Sequence, residues 1–375
     1  MSTSSSNEGW KHYTKLRDDQ VRKRGKHAIL ECADAHAGER RHGEVGALRD
    51  VHSVNQRFYY GGQAVIEGVL IRGRRYVAVA VRRPTGDIAT WTSPLGATAT
   101  TRWRKVPFVR GILVLAETFT MGMRALLDSA RVAGQEQGDE EISPATVGVT
   151  IAFSLAFAVL VFFVSPTLLV RLLDPLLQSP LLSNVVEGIV RLGLFLGYVV
   201  LIGRMAEVRR VFAYHGAEHM TVHAHEHGEP LETQAVRRYP TAHERCGTAF
   251  LLTVMVVAIV VFVLVGRYDD LWMRLLSRIV LVPLVAGAAY EVIRLSARFE
   301  SSPLVRLLIT PNLALQALTT RQPDDAQIEV AIAAMNAAIA ADEGRPVGPL
   351  TDALAAGAAK PVPPTEDTTA GPGSS

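Results

Sequence analysis

The chain has 375 residues, of which 49% are hydrophobic and only 20% are charged. A positive mean hydropathy of +0.19 with so few charges points toward a membrane protein. The net charge of +3 is too small to argue for nucleic-acid binding. Two cysteines far apart in the sequence, Cys32 and Cys246, exclude a disulfide-stapled secreted scaffold. The N-terminal stretch is polar and basic, so no cleavable signal peptide is expected.

Both ends of the chain are predicted to be disordered. Residues 1–56 form a basic arm that carries Ser, Lys, Arg, Asp and Glu without sustained periodicity. Their apolar surface is too small to offset the conformational entropy that ordering would cost. Residues 344–375 are rich in Pro, Ala, Thr and Gly, a composition typical of a disordered tail.

Residues 57–105 predict a small cytoplasmic β unit. Apolar residues sit among glycines in GGQAVIEGVLIRG, and YVAVAVRR, a PTGD turn and IATWTSP form a hairpin pattern. Gln63 and Glu67 are four residues apart, so they would share a face on a strand. We favour a structural role for this motif in docking the β unit. The competing interpretation is that Glu67 reaches the histidine-rich segment described below.

Residues 106–132 predict an amphipathic helix at a membrane interface, and residues 142–296 predict a helical membrane core. Segments 142–170 and 246–266 carry no charge, and each is longer than the roughly 20 residues that cross the hydrocarbon layer. Two weaker segments contain charges, including Glu187 and Arg191, which are spaced to pair with each other. The expected fold is therefore a membrane α-helical protein with a small cytoplasmic β unit and four transmembrane helices, at about 145–165, 183–203, 248–266 and 275–295.

The basic residues that flank these spans predict their orientation. Loop 204–247, between the second and third spans, carries six arginines, whereas the two opposite loops carry one and three. Both termini and this loop are therefore expected in the cytoplasm, in a multi-pass protein of the cell membrane. The lipid bilayer is the expected partner, and a homo-oligomer is left open. Residues 297–343 follow as a C-terminal helical segment, in which Pro323 and Asp324 suit the start of the last helix.

Loop 204–247 contains every histidine outside the N-terminal arm. His215, Glu218 and His219 form H-x-x-E-H, in which two imidazoles four residues apart face the same side of a helix and can clamp a metal ion. Glu218 would then serve as general base for a metal-bound water, as in zinc peptidases with this order of residues. His223 continues the spacing of four, but each step drifts by about 40° around the helix. Gly228 then ends the helix.

A second group of candidate ligands lies at the entrance to the third span. The run Thr241-Ala-His-Glu has the pattern of a capping box and predicts a helix that begins at Thr241. His243 and Cys246 would lie on its first turn, where they could complete a four-ligand site with the two histidines of the H-x-x-E-H motif. The alternatives are a solvated histidine stripe, or a polar face beside anionic lipid, with Cys246 as an ordinary small residue at a helix start.

Glu291, near the end of the fourth span, is a further candidate ligand. An ionisable residue at membrane depth is by default a functional-site hypothesis. The structural alternative is that Glu291 pairs with Arg294 or with an arginine of a neighbouring helix.

Five stretches that span most of residues 57–340 resemble, in the same order, the YqhQ-like family of bacterial membrane proteins. They are GGQAVIEGVLIRG (61–73), YHGAEHMTVHAHEHGEPL (214–231), HERCGTAFLL (243–252), AGAAYEVIR (286–294) and LQALTTRQPDDAQIEVAI (315–332). The resemblance implies an integral membrane protein and a metal-dependent enzyme without an established substrate. The family usually has proline where this chain has Glu244, which leaves the local turn open but does not affect His243 or Cys246.

The leading hypothesis is a membrane-embedded hydrolase that uses zinc, or another divalent transition metal, at the cytoplasmic surface. His215 and His219 would be ligands, and His243, Cys246 or Glu291 would complete the coordination shell. The competing hypothesis is a non-enzymatic scaffold or biogenesis factor in which the metal only clamps the loop. An open coordination position would indicate catalysis, and a closed four-ligand site a structural role. A metal-ion transporter is the weakest alternative, because the spans contain few polar residues to form a path.

Overall fold

The computed structural model describes residues 58–95, 102–134, 144–177, 179–243, 245–266, 268–296, 299 and 302–358. Within them the chain is mostly helical and carries a small antiparallel sheet, as the sequence predicted. The predicted basic arm, residues 1–56, lies outside the described residues, and so do residues 359–375 of the predicted tail.

The sheet has four strands in the order β1 (Gly61–Val65), β2 (Gly68–Arg72), β3 (Tyr76–Arg82) and β4 (Ile88–Pro94), each antiparallel to the next. These strands coincide with the segments predicted from the alternation of apolar residues and turn signals. Strand β1 ends at Val65, and Glu67 lies in the following turn with a φ of 51°. Gln63 and Glu67 therefore do not share a strand face, contrary to the expectation from their spacing.

The helices follow the sheet in chain order. They are α1 (Val109–Gly134), α2 (Pro144–Val159), α3 (Ser165–Leu177), α4 (Pro180–Ile202), α5 (Ala206–Glu226), α6 (Thr233–Val236), α7 (Thr248–Val265), α8 (Leu271–Val280), α9 (Val282–Ser296), α10 (Pro303–Thr319), α11 (Asp325–Asp342) and α12 (Leu350–Ala358). A π-helical turn, Leu160–Val164, joins α2 to α3. Helix α11 begins where the sequence predicted, because Asp324 and Gln327 form a capping box.

Helices cover both faces of the sheet. Alternate strand residues, Val69, Ile71, Ala78 and Ala80, pack on one face against buried apolar side chains of α5 and α11. The other face packs against α1 and α12, which contribute Ala125, Val132 and Ala353. Helix α12 lies within the predicted disordered tail, and the burial of Ala353 on the sheet explains why it is ordered. The sheet therefore holds α5, the helix that carries the histidines, in a fixed place.

Two helical segments are long and apolar enough to cross a membrane, Ala145–Leu177 and Pro180–Ile202. Helices α8 and α9 together form a third candidate, although they are bent by 42° against each other. Helix α7 corresponds to the predicted span 248–266, but its apolar part, Phe250–Val265, is shorter than the roughly 20 residues that a bilayer requires. The structure thus supports two or three spans instead of four, and the orientation stays a prediction.

Candidate metal centre

Helix α5 starts after a break that follows Gly203 at the end of α4. Its apolar residues pack on the sheet and on α11, whereas histidines at every fourth position face the segment that precedes α7. The helix ends at Glu226, and Gly228 follows with a φ of +72°, as the sequence predicted. Gly216 allows a close approach, because a Cβ there would lie 2.2 Å from the carbonyl oxygen of Arg321.

The segment before α7 is a loop held by the histidines of α5. The Nδ1 atom of His219 lies 2.6 Å from the carbonyl oxygen of Thr241, and Nε2 of His223 lies 2.8 Å from that of Ala242. The predicted helix start at Thr241 is therefore wrong, because these two carbonyls accept hydrogen bonds from imidazoles. Helix α7 begins only at Thr248.

His215, His219 and Cys246 come together and form the histidine–cysteine group. One nitrogen of each imidazole and the Cys246 sulfur all lie within 4.8 Å of one another. Nδ1 of His215 lies 3.0 Å from the carbonyl oxygen of Thr319, so both histidines donate their Nδ1–H to a backbone carbonyl. Their Nε2 atoms therefore carry the lone pairs, and His215 Nε2 accepts a hydrogen bond from the Cys246 thiol at 3.2 Å. Metal-binding histidines have this arrangement, in which the ring nitrogen that does not bind the metal donates its N–H to a backbone carbonyl.

Glu218 lies beside this group in a buried position. Its carboxylate accepts a hydrogen bond from the backbone N–H of Gly62 and lies 3.5 Å from His219 Nε2. Burial raises the pKa of Glu218 to about 8, although the Gly62 hydrogen bond and His215 oppose the rise. Burial also lowers the pKa of His219 well below its usual value, which keeps the imidazole neutral and able to bind a metal.

A cavity of about 180 Å³ adjoins the histidine–cysteine group. The start of β1, the Glu218 face of α5 and the loop before α7 line it, and Arg245 stands at its wall over the ring of Tyr59 at 4.0 Å. A small substrate group or water molecules can therefore reach Glu218 and His219 from this side.

His243 belongs to a second group, with His223 and Glu226, whose ligand-type atoms also lie within 4.8 Å of one another. The backbone N–H of Arg245 donates to His243 Nδ1 at 3.2 Å, so the ring proton lies on Nε2, 3.5 Å from a Glu226 oxygen. Burial alone would raise the pKa of Glu226, but His243 and Arg245 hold it at about 2. The structure thus pairs His243 with a carboxylate and does not place it in the histidine–cysteine group.

Gln316 supports the site and was missed by the sequence reasoning. Its buried side chain on α10 accepts the backbone N–H of His243 and donates to the His243 carbonyl, both at 2.9 Å. The available signal was a single amide side chain in the apolar run NLALQAL. Gln316 therefore fixes the loop at the backbone of His243.

Three other candidate residues lie elsewhere. The Glu291 carboxylate accepts hydrogen bonds from Arg110 of α1 and from the backbone N–H of Phe108, which is the pairing with a neighbouring arginine considered above. Glu67 accepts hydrogen bonds from Arg210 and Tyr214 of α5 and so docks the β1–β2 turn. The Gln63 side chain lies over Gly122 of α1, where a Cβ would be 2.5 Å from its nitrogen.

Comparisons with known proteins agree with the motifs. The family model described as "Protein of unknown function (DUF1385)" matches residues 106–341. Uncharacterized protein YqhQ of Bacillus subtilis (strain 168) is 33% identical over 293 residues, which cover 74% of this chain and 91% of that protein. No solved structure matches the chain. The matched range contains the histidine–cysteine group and Glu218.

Proposed function

The chain belongs to the DUF1385 family of proteins of unknown function, and from the geometry of its site we propose that it is a zinc-dependent hydrolase at the cytoplasmic surface of a membrane. One observation carries the proposal. The ligand atoms of the two histidines of the H-x-x-E-H motif and of Cys246 all lie within 4.8 Å of one another, next to a buried carboxyl group that lines a cavity.

The donor set fits zinc. Two neutral imidazoles and one thiolate are common zinc ligands, and three protein ligands leave a position open for chemistry. The backbone N–H and the hydroxyl of Thr248 approach the Cys246 sulfur at 3.4 and 3.1 Å, and both stabilise a thiolate. Burial raises the pKa of the Cys246 thiol, so the thiolate needs a cation beside it.

Glu218 is the proposed general base. Zinc, when bound, would supply Lewis acidity and positive charge. A cation beside Glu218 lowers its pKa from about 8, which poises the carboxylate to accept a proton near neutral pH. Glu218 would take a proton from water as the water oxygen bonds to the electrophilic atom of the substrate. The bond from that atom to the leaving group would then break, and Glu218 would pass the proton to the leaving group. No redox partner is required for this reaction.

The competing function is a scaffold in which the metal clamps the loop before α7 onto α5. The contact of 3.5 Å between Glu218 and His219 Nε2 favours it, because a carboxylate so close could close the shell as a fourth ligand. The two functions differ in what they require of Glu218, which must remain free to exchange a proton only in the hydrolase.

Substitution of Glu218 separates the two functions. We expect Glu218→Gln to retain zinc, measured by elemental analysis of the purified full chain, and to lose activity in a complementation assay. His215→Ala should lose most of its zinc because it removes a ligand. His227→Ala, an exposed histidine just after α5, is the matched control and should change neither property. Retention of both zinc and function in Glu218→Gln would reject the hydrolase, and loss of zinc would make Glu218 a ligand.

A further inference from the structure

A cluster of charged side chains lies buried among the apolar helices α3, α4 and α8. We call it the arginine cluster, and its members are Asp174, Glu187, Arg191, Arg274 and Arg278. The glutamate and the three arginines are each at most 4% exposed. The sequence had indicated only the pair of Glu187 and Arg191. Nothing in the proposed hydrolase uses this cluster, since its helices do not contribute to the histidine–cysteine group.

Glu187 is the centre of the arginine cluster. One of its oxygens accepts hydrogen bonds from Arg191 Nη2 at 2.8 Å and from Arg278 Nε at 3.1 Å. The other oxygen accepts a hydrogen bond from Arg274 Nη2 at 3.0 Å, and Arg274 Nη1 reaches Asp174 at 2.8 Å. Each carboxylate is therefore already engaged by guanidinium groups.

The charges of the arginine cluster do not balance. Three guanidinium groups and two carboxylates leave one positive charge, and an arginine side chain does not lose its proton in proteins. The excess positive charge is assigned to Arg278, whose guanidinium is not fully hydrogen-bonded among the described residues. Its Nη2 donates to Asn184 at 2.6 Å and its guanidinium lies over the Phe262 ring at 4.4 Å, but its buried Nη1 has no hydrogen-bond acceptor among the described residues.

A π-helical turn and a helix bend both lie at the arginine cluster. The carbonyl of Phe162, in the π-helical turn between α2 and α3, accepts a hydrogen bond from Arg191 Nε at 2.8 Å. Arg278 lies in the last turn of α8, directly before the bend of 42° to α9. Interrupted helices beside buried charges are typical of ion-binding sites in membrane proteins.

We propose that the arginine cluster binds a small monovalent inorganic anion such as chloride. The anion accepts the N–H groups of Arg278 Nη1 and neutralises the excess positive charge, which is costly in a low-dielectric interior. Arg278 has no exposed surface, so the site is too enclosed for the phosphate of a lipid headgroup. The proposal does not depend on the metal centre and can fail or hold without it.

The test uses the full chain purified in a non-ionic detergent, in a gluconate buffer of constant ionic strength. Replacing gluconate by chloride or bromide should raise the thermal unfolding midpoint of the wild-type protein by several degrees. Arg278→Met removes the excess charge, so its midpoint should no longer depend on the anion. Arg294→Met removes an exposed arginine from α9 and should keep the full anion dependence.

Absence of an anion effect in the wild type, or its persistence in Arg278→Met, would overturn the proposal. A shift produced by added phosphatidylglycerol but not by chloride would also overturn it, since the ligand would then be a lipid headgroup. If Arg278→Met does not fold, binding of radioactive chloride to the wild-type chain decides the question. Binding of about one equivalent of chloride per chain, which bromide displaces and gluconate does not, would support the site. Absence of chloride binding would reject it.

Discussion

The position of one hydrogen on each imidazole determines which side chains can hold a metal. His215 and His219 direct Nδ1–H to backbone carbonyls, which leaves Nε2 as the ligand atom of each ring, and Nε2 of His215 lies against Cys246. His243 has the opposite arrangement, because its Nδ1 accepts the N–H of Arg245 and its Nε2–H faces a carboxylate. Binding a metal through Nε2 would require the ring proton of His243 to move to Nδ1, which would break the hydrogen bond from the Arg245 N–H. We therefore expect His243 to support the histidine–cysteine group through hydrogen bonds, and its role as a ligand stays a prediction to be tested.

Replacement of His243 tests this distinction between ligand and support. We expect His243→Ala to bind zinc at close to the wild-type stoichiometry, whereas His219→Ala should lose it. The free energy of unfolding of His243→Ala should fall by about 1–3 kcal/mol, since a partly buried carboxylate loses a partner. Elemental analysis and urea unfolding of the same preparations give both values. If His243→Ala loses zinc as completely as His219→Ala, His243 is a ligand.

Some of the site residues could be predicted from the sequence, because their arrangement depends only on their spacing along one helix. The i, i+4 spacing of His215 and His219 fixes a common helix face wherever the helix lies. Glu291 could not be placed in the same way, because its partner Arg110 lies on a helix far away in the sequence. Gln316 is a similar case, since its role depends on two backbone groups of the loop before α7.

At the level of elements, the prediction succeeded for the sheet and failed at the start of α7. The strands follow from the alternation of apolar residues and the turns between them, which short segments encode by themselves. The capping-box pattern at Thr241 is equally local, but the carbonyls of Thr241 and Ala242 accept hydrogen bonds from α5 instead. A tertiary contact therefore overrides a helix-start signal, and α7 becomes too short for the span predicted from its composition.

The close packing of α5 against Arg321 depends on Gly216, so a larger residue at this position should displace the whole helix. Gly216→Ala places a Cβ 2.2 Å from the Arg321 carbonyl oxygen, so α5 must move away from the segment that holds His215 through Thr319. We expect a loss of stability of about 1–3 kcal/mol and a lower zinc content. Gly193→Ala is the control, because a Cβ at this exposed position of α4 meets nothing within 4 Å. That variant should be as stable as the wild type or more so, measured by thermal unfolding.

If Gly216→Ala binds zinc and unfolds like Gly193→Ala, the contact between α5 and Arg321 is not tight in solution. The position of the metal centre would then have to be fixed by the loop alone.

In the whole molecule, the candidate site combines parts that are distant in the sequence. Helix α5 supplies the histidines and Glu218, the loop before α7 supplies Cys246, β1 supplies the Gly62 N–H, and α10 supplies Gln316 and the Thr319 carbonyl. The sheet positions two of these parts, because β1 is one of its strands and α5 packs on one of its faces. The apolar segments Ala145–Leu177 and Pro180–Ile202 immediately precede α5. A site of this construction requires elements that extend from β1 to α10.

The orientation of the chain in a membrane can be tested by labelling cysteines introduced on the two sides of the predicted spans. If both apolar segments cross the bilayer, Ser179 at their connection lies on one side and Glu229, just beyond α5, lies on the other. The six arginines of loop 204–247 predict that Glu229 lies in the cytoplasm. A membrane-impermeant maleimide added to intact cells should therefore label Ser179→Cys and should label Glu229→Cys only after lysis. The parent protein is the control for labelling at Cys32 and Cys246. Labelling of Glu229→Cys in intact cells would mean that the orientation is inverted and that the candidate site lies outside the cytoplasm. Equal labelling of both variants only after lysis would mean that the two segments do not span the membrane.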